Sequence, residues 1–121
     1  MQGTSTEIDL QFIALVKAHD YESAVNVMGH VTDINIQDPD TSYSALHFAA
    51  LRSANNFMAE LEKRRDLNYC VVDKKSRPPS TLAWMEGQNE ELAFELMKKE
   101  HKYAKRHGLS PWKPWTLVPK S

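Results

Sequence analysis

The sequence predicts an all-α fold: a short solenoid of helical hairpins joined by turn-rich finger loops, followed by an extended tail. Three observations carry that expectation. Apolar residues recur at spacings of three and four through most of the chain, the period of one helix face. The helical stretches come in pairs, each pair split by a few residues of turn-forming sequence. The pattern Asp-apolar-Asn-bulky occurs twice, at Asp33-Ile34-Asn35-Ile36 and Asp66-Leu67-Asn68-Tyr69, a period of 33 residues. A fixed period of that size is the mark of a repeated supersecondary unit.

The first hairpin opens with Ile8, Phe12, Leu15 and Val16 on one helix face. His19-Asp20 reads as a break and helix cap, because adjacent residues point apart and make a poor base–carboxylate pair. Tyr21, Ala24, Val25 and Met28 then set a second helix, with Gly29 as its expected stop. After the polar stretch "VTDINIQDPDTSYS", Ser44 is placed to accept an amide hydrogen as an N-cap. The second hairpin runs from Ala45, breaks between Ser53 and Asn56, and resumes with Phe57, Met58 and Leu61 inward. Ser80 is read as the start of the third, which breaks at Gly87 to Asn89 and then presents Ala93, Leu96 and Met97 to one side. Leu46 and Leu82 are taken as equivalent positions 36 residues apart, which assigns an insertion of three residues to "CVVDKKSRPPS". Stacked hairpins tolerate such an insertion, since their contacts lie on the helices.

These residues resemble the ankyrin repeat. Ser44-Ala45-Leu46-His47-Phe48-Ala49-Ala50 is similar to that family's Thr-Pro-Leu-His-x-Ala-Ala helix start, and Asp33-Ile34-Asn35 and Asp66-Leu67-Asn68 are similar to its loop. The likeness covers roughly residues 8–100 and is best in 44–68, with degenerate ends, as terminal capping units require. It implies one domain over 1–108 and a tail over 109–121. It also implies that His47 is a structural hydrogen-bonder, tying its own turn to the loop of a neighbouring unit. Finally, it implies a concave face of loop tips and first helices that binds a protein partner. Carried over position by position, that face holds Asp40, Thr41, Tyr43, Leu51, Arg52, Arg77 and Gln88. Tyr43, Arg52 and Arg77 are the expected anchors, since Tyr and Arg contribute most once desolvated. The acidic tip Asp38-Pro39-Asp40 lies beside the basic tip Lys74-Lys75-Ser76-Arg77, and the two are expected to face one another.

Other chemistry finds little footing. There is no Gly-rich phosphate loop and no nucleophile elbow, and with 4 glycines few could be built. His101 and His107 are six apart, off the spacing that puts two ligands on one helix face. No catalysis, cofactor or metal is therefore expected. The lone Cys70 excludes an internal disulfide and fits a reducing compartment. "MQGTSTEIDL" lacks the basic and apolar regions of a signal peptide, and no apolar run reaches bilayer length. A cytoplasmic monomer or homodimer with no membrane contact is expected. A net charge of −1 gives no global field toward a polyanion. The basic run from Lys98 to Arg106 suits the negative end of its own helix dipole, and a nucleic-acid-binding helix is the alternative. In "SPWKPW", Trp112 and Trp115 share one side of a polyproline-like strand with three residues per turn. They either cover the open edge of the last hairpin or anchor in a partner's groove; the cover is preferred because a three-unit stack needs sealed ends.

Overall fold

The computed structural model describes residues 5–108. Six helices follow in chain order: α1 (Ser5–Lys17), α2 (Tyr21–Met28), α3 (Ala45–Arg52), α4 (Asn55–Leu61), α5 (Pro79–Met85) and α6 (Glu90–Arg106). Among the described residues there is no strand, only one isolated antiparallel bridge between Gln37 and Ser44. No described helix is long and apolar enough to cross a membrane. The tail with Trp112 and Trp115 lies outside the described residues.

The helices form three pairs, and each pair turns on a residue in the left-handed region: His19, Ser53 and Gln88. The N-caps Asp20, Ala54 and Asn89 follow directly, so the junctions recur at intervals of 34 and 35 residues. Asp20 and Asn89 accept the amide hydrogens of Ser23 and Leu92 through their side chains, the expected service of such residues at a helix start. Gly29 does end α2, but in the right-handed conformation (φ −65°), so it does not use glycine's freedom.

α3 is the centre of the molecule. It packs on α1, α4 and α5, and every residue from Ala45 to Ala50 is buried. A helix covered on all sides must be apolar or satisfied all round, which explains its alanines. Phe12, Ile13 and Val16 of α1 and Phe57, Met58 and Leu61 of α4 close over it. Ile13 was not among the expected core positions, and Met97 is only half-buried rather than inward.

α5 begins at Pro79, with Pro78 as its N-cap and proline at the first helical position, where its missing N–H costs nothing. The helix therefore starts before Ser80. Ser44 and Pro78 are 34 residues apart, so counting from the caps sets Leu82 opposite Phe48 and Ser80 opposite Leu46. The expected equivalence of Leu46 and Leu82 is thus corrected by two residues, about half a turn of helix. Both leucines are buried.

Polar side chains lace the pairs together at their loops. Asp9 of α1 accepts the amide hydrogens of Thr32 (2.8 Å) and Asp33 (3.0 Å). Asn35 donates to the Asp66 carbonyl (2.9 Å) and accepts from the Asn68 amide (2.7 Å), which bonds the two Asp-x-Asn loops face to face. Arg64 donates to the carbonyls of Met28 (3.0 Å) and Val31 (3.2 Å), which ties it to the end of α2 and the turn that follows.

Gly87 marks the tightest approach. A Cβ there would stand 2.9 Å from the Leu51 carbonyl oxygen, 3.1 Å from that of Ala83 and 3.2 Å from that of Ala50. These are backbone atoms that cannot step aside, so Gly87→Ala is expected to cost about 1–3 kcal/mol, the usual penalty of overpacking. Gly29 has nothing within 4 Å, and Gly29→Ala is expected to be neutral or to stabilise by about 0.4–1 kcal/mol. Urea unfolding of the two variants at constant m-value checks the contrast.

Candidate protein-interaction face

The finger loops are built by their own first residues. Asp38 accepts from the Thr41 amide and hydroxyl, both at 2.9 Å, while its backbone amide donates to the Tyr43 carbonyl (2.8 Å). Asp73 repeats the scheme: it accepts from the amides of Lys75 (2.9 Å) and Arg77 (2.8 Å), and its own amide donates to the Arg77 carbonyl (3.1 Å). Both aspartates are buried. Donors around Asp38 and Asp73 hold their carboxyls below the usual range, against a burial that works the other way. Side chains that bond their own turn in this way favour a single loop conformation.

His47 binds the second finger to α3. Its Nε2 lies 2.8 Å from the Arg77 carbonyl oxygen, so that nitrogen carries the proton. Nδ1 then accepts, from the Ser44 amide (3.1 Å) and the Ser44 hydroxyl (2.9 Å). Ser44 Oγ in turn accepts the His47 amide hydrogen (3.3 Å), which makes a capping box with histidine in the glutamate position. Burial pushes the imidazole down to about 4, although the Arg77 carbonyl and the Asp73 carboxylate favour its protonation. The ring is neutral and bonded at both nitrogens.

Around this anchor the residues expected on the face fall into three groups. Tyr43 stacks on His47 (5.7 Å between ring centres) and meets Phe48 edge-on (5.3 Å). Arg77 bonds Asp73 through Nε (2.9 Å), approaches the Tyr43 hydroxyl (3.4 Å) and pairs with Glu86 (3.6 Å). Tyr43 and Arg77 are therefore brought together, one from each finger. Asp40 and Thr41 lie at the first finger, where Asp38 and Asp40 both pair with Lys17 of α1 (3.3 and 3.2 Å). The acidic tip thus turns to α1 and the basic tip to its own Asp73 and Glu86, so the expected pairing between tips is replaced.

Leu51 and Arg52 end α3. Arg52 donates to the carbonyls of Val16 (2.8 Å) and Lys17 (2.9 Å) and to the Tyr21 hydroxyl (2.8 Å), with its guanidinium over the Phe48 ring. Its charge meets the carbonyls at the negative end of the α1 dipole. Gln88 sits apart, exposed at the α5–α6 turn. Met85, not foreseen on this face, is 58% exposed at the end of α5 and adjoins Glu86, the partner of Arg77.

Two further polar groups were not foreseen. Ser80, standing where Leu46 stands in the second pair, is buried and donates to Glu100 Oε2. Glu100 is 3% exposed, and its Oε1 has no hydrogen-bond partner. Burial pushes this carboxyl up to about 7, against the opposing pull of Ser80. Cys70 lies against the Glu100 carbonyl (3.5 Å). Burial, then the Glu100 charge, push its thiol up to about 11, so it is a weak nucleophile. Among the described residues no group of three or more His, Cys, Asp or Glu is placed to hold a metal. On α6, Lys98 and Lys99 pair with Glu95 and Glu62, while Lys102, Lys105 and Arg106 are exposed.

His47 and Glu100 give opposite pH dependence. The His47 value is lower in the fold than its ordinary 6.5, so its contribution is present above pH 6.5 and lost as pH falls toward 4. The Glu100 value is higher than its ordinary 4.5, so its contribution is present below pH 4.5 and lost as pH rises through 7. Between these limits the two slopes cancel, each about 1.4 kcal/mol per pH unit at most. Glu100→Gln is expected to unmask a fall in the urea midpoint from pH 6.5 to 4.5. His47→Gln should show the reverse, a fall from pH 4.5 to 7. A series of urea titrations across that range decides it. In the comparison with known proteins, no family model matches this chain and no curated protein matches it.

Proposed function

We propose that the chain is an ankyrin-like stack of three helix pairs that acts as a non-catalytic protein-binding module, an adaptor, regulator or inhibitor. On this reading a protein partner lies along the finger tips and the ends of the first helices. The observation that carries it is the union of two self-bonded fingers through Tyr43 and Arg77, with exposed side chains of several kinds around the join. Asp40, Lys74, Lys75, Met85 and Glu86 are all exposed there. An aromatic and an arginine fixed at the centre of a mixed, exposed rim fit the anatomy of protein interfaces. The recurrence of the left-handed turns at 34 and 35 residues supports the stack, as does the bond from His47 to the following finger. A cytoplasmic setting accords with one buried-sided thiol and no expected disulfide.

The alternative reading gives the function to nucleic acid, and the exposed Lys102, Lys105 and Arg106 at the end of α6 favour it. Two sets of surface variants separate the readings. Lys74→Glu with Lys75→Glu, and separately Met85→Asp, are expected to weaken capture of the native partner by tenfold or more while the thermal midpoint is unchanged. Lys102→Glu with Lys105→Glu is expected to leave capture intact. Binding of an RNA oligonucleotide with steep salt dependence, abolished by the α6 pair and indifferent to the finger variants, would transfer the function to α6.

A further inference from the structure

An open groove of ≈ 760 Å³ lies between α2 and α4, the second helices of the first two pairs, and none of its lining residues belongs to a finger. Tyr21, Val25 and Phe57 give it apolar surface. The Tyr21 ring stacks on Phe57 (4.8 Å between ring centres) and its hydroxyl accepts from Arg52 (2.8 Å), so it is held in place before anything binds. Asn26, Asn55 and Asn56 are exposed along the groove, and Glu22 and Glu60 supply two carboxylates. No lysine or arginine lines it. Arg52 stands behind Tyr21 with its guanidinium bonded to the carbonyls of Val16 and Lys17. Lys63 reaches Glu60 from outside the lining (3.2 Å), and an exposed pair of this kind is weak and readily exchanged.

We infer that this groove is a second binding site, which takes an extended segment of a protein partner carrying a lysine or an arginine. Three observations select that occupant. The first is where the asparagines stand. α2 and α6 begin with capping side chains, Asp20 and Asn89. α4 instead has Ala54 at its cap, no side-chain cap bond, and Asn55 and Asn56 directly after it. One position earlier an asparagine would bond the helix's own amides, whereas inside the helix it is a poor former. The carboxamides are thus set beside the groove at the expense of the helix start.

The second is what a carboxamide matches. It both donates and accepts, as a peptide group does. An extended segment brings main-chain N–H and C=O groups that need partners, while a helix arrives with its own already bonded. The exposed rim also suits a chain passing through, since a small molecule needs most of its surface enclosed.

The third is charge. Two carboxylates beside the Tyr21 ring, with no cation in the lining, favour a cationic side chain, which gains from the carboxylates and the ring face together. An acidic segment would meet like charge. The site is separate from the finger face and does not depend on what that face binds.

Selection of a phage library of short random peptides on the full chain tests it. Enriched peptides are expected to be rich in lysine or arginine. Their binding, read by the fluorescence anisotropy of labelled synthetic copies, should weaken as salt rises. Asn55→Ala with Asn56→Ala is expected to weaken them about tenfold, as the loss of two neutral hydrogen bonds implies. The thermal midpoint of that variant should hold or rise, because alanine is the better helix former. Glu22→Gln with Glu60→Gln should weaken binding and flatten its salt dependence, and Lys74→Glu with Lys75→Glu should leave it intact. Recovery of no peptide, or of peptides without basic residues, would overturn the inference. So would binding that is lost in the finger variant and kept in both groove variants, which would assign the peptides to the finger face. Sedimentation of the chain alone supplies the last control: association abolished by the asparagine substitutions would overturn the inference, because the occupant would then be a second copy.

Discussion

The imidazole of His47 is asked to do two things that only one protonation state allows. It must donate from Nε2 to the carbonyl of Arg77 and accept at Nδ1 from the amide and hydroxyl of Ser44. A protonated ring would set an N–H against the Ser44 amide hydrogen and place a charge in a site with no exposure. Tyr43 lies flat over the ring and Phe48 closes the edge of Tyr43, so the site stays dry and the ring stays neutral. The bond to Arg77 spans 30 residues of sequence. It therefore joins the start of α3 to the finger that precedes α5, and the orientation of Tyr43, Arg77 and Asp73 follows from it.

The third helix pair solves the same packing problem with different groups. Where the second pair buries Leu46, the third buries Ser80, and a hydroxyl there needs a partner. Glu100 reaches across from α6 to supply one, which brings a carboxyl into the interior and leaves Oε1 without a bond. A buried carboxyl with an idle oxygen is stable chiefly as the neutral acid, whereas His47 is stable chiefly as the neutral base. The two groups lie at successive joints of the molecule and resist opposite changes of pH. Their combined effect is a range of pH over which the summed stability holds level while its weight shifts from one joint to the other.

The sequence was informative wherever the deciding contact is local. The helix pairs follow from three-and-four spacing, and the breaks at His19-Asp20 and Gly87 to Asn89 follow from residues that tolerate turns. The break expected over Ser53 to Asn56 is shorter, because Asn55 and Asn56 already belong to α4. The Ser44 cap is a signal within four residues, and the bond of His47 to a following loop was implied by the resemblance of its segment. Failure came where a partner lies far along the chain. Arg52 looked like a surface anchor because nothing within its own helix reveals that its guanidinium bonds carbonyls 36 and 35 residues earlier. The Leu46–Leu82 register matched like with like, although the caps show that serine takes the place of leucine. Glu100 sat unnoticed in a basic run, since a carboxylate between lysines reads as solvated until Ser80 is placed beside it.

These buried bonds bear on how the exposed face would meet a partner. A loop free to sample many conformations loses that freedom on binding, at about 0.5–1.5 kcal/mol for each ordered side chain. Here the ordering has been done within the fold. Asp38 and Asp73 bond the amides of their own turns, Lys17 fixes the first tip to α1, and His47 fixes the second to α3. Tyr43 and Arg77 are held by contacts to each other and to buried groups, so their rings and guanidinium need not be gathered from solution. On the proposed reading, variation at the exposed Lys74, Lys75 or Met85 would alter which partner fits without disturbing the frame beneath, because among the described residues no hydrogen bond or ion pair of those side chains holds it. Variation at Asp73 has no such freedom, since a single lost carboxylate would release two amides and Arg77 together.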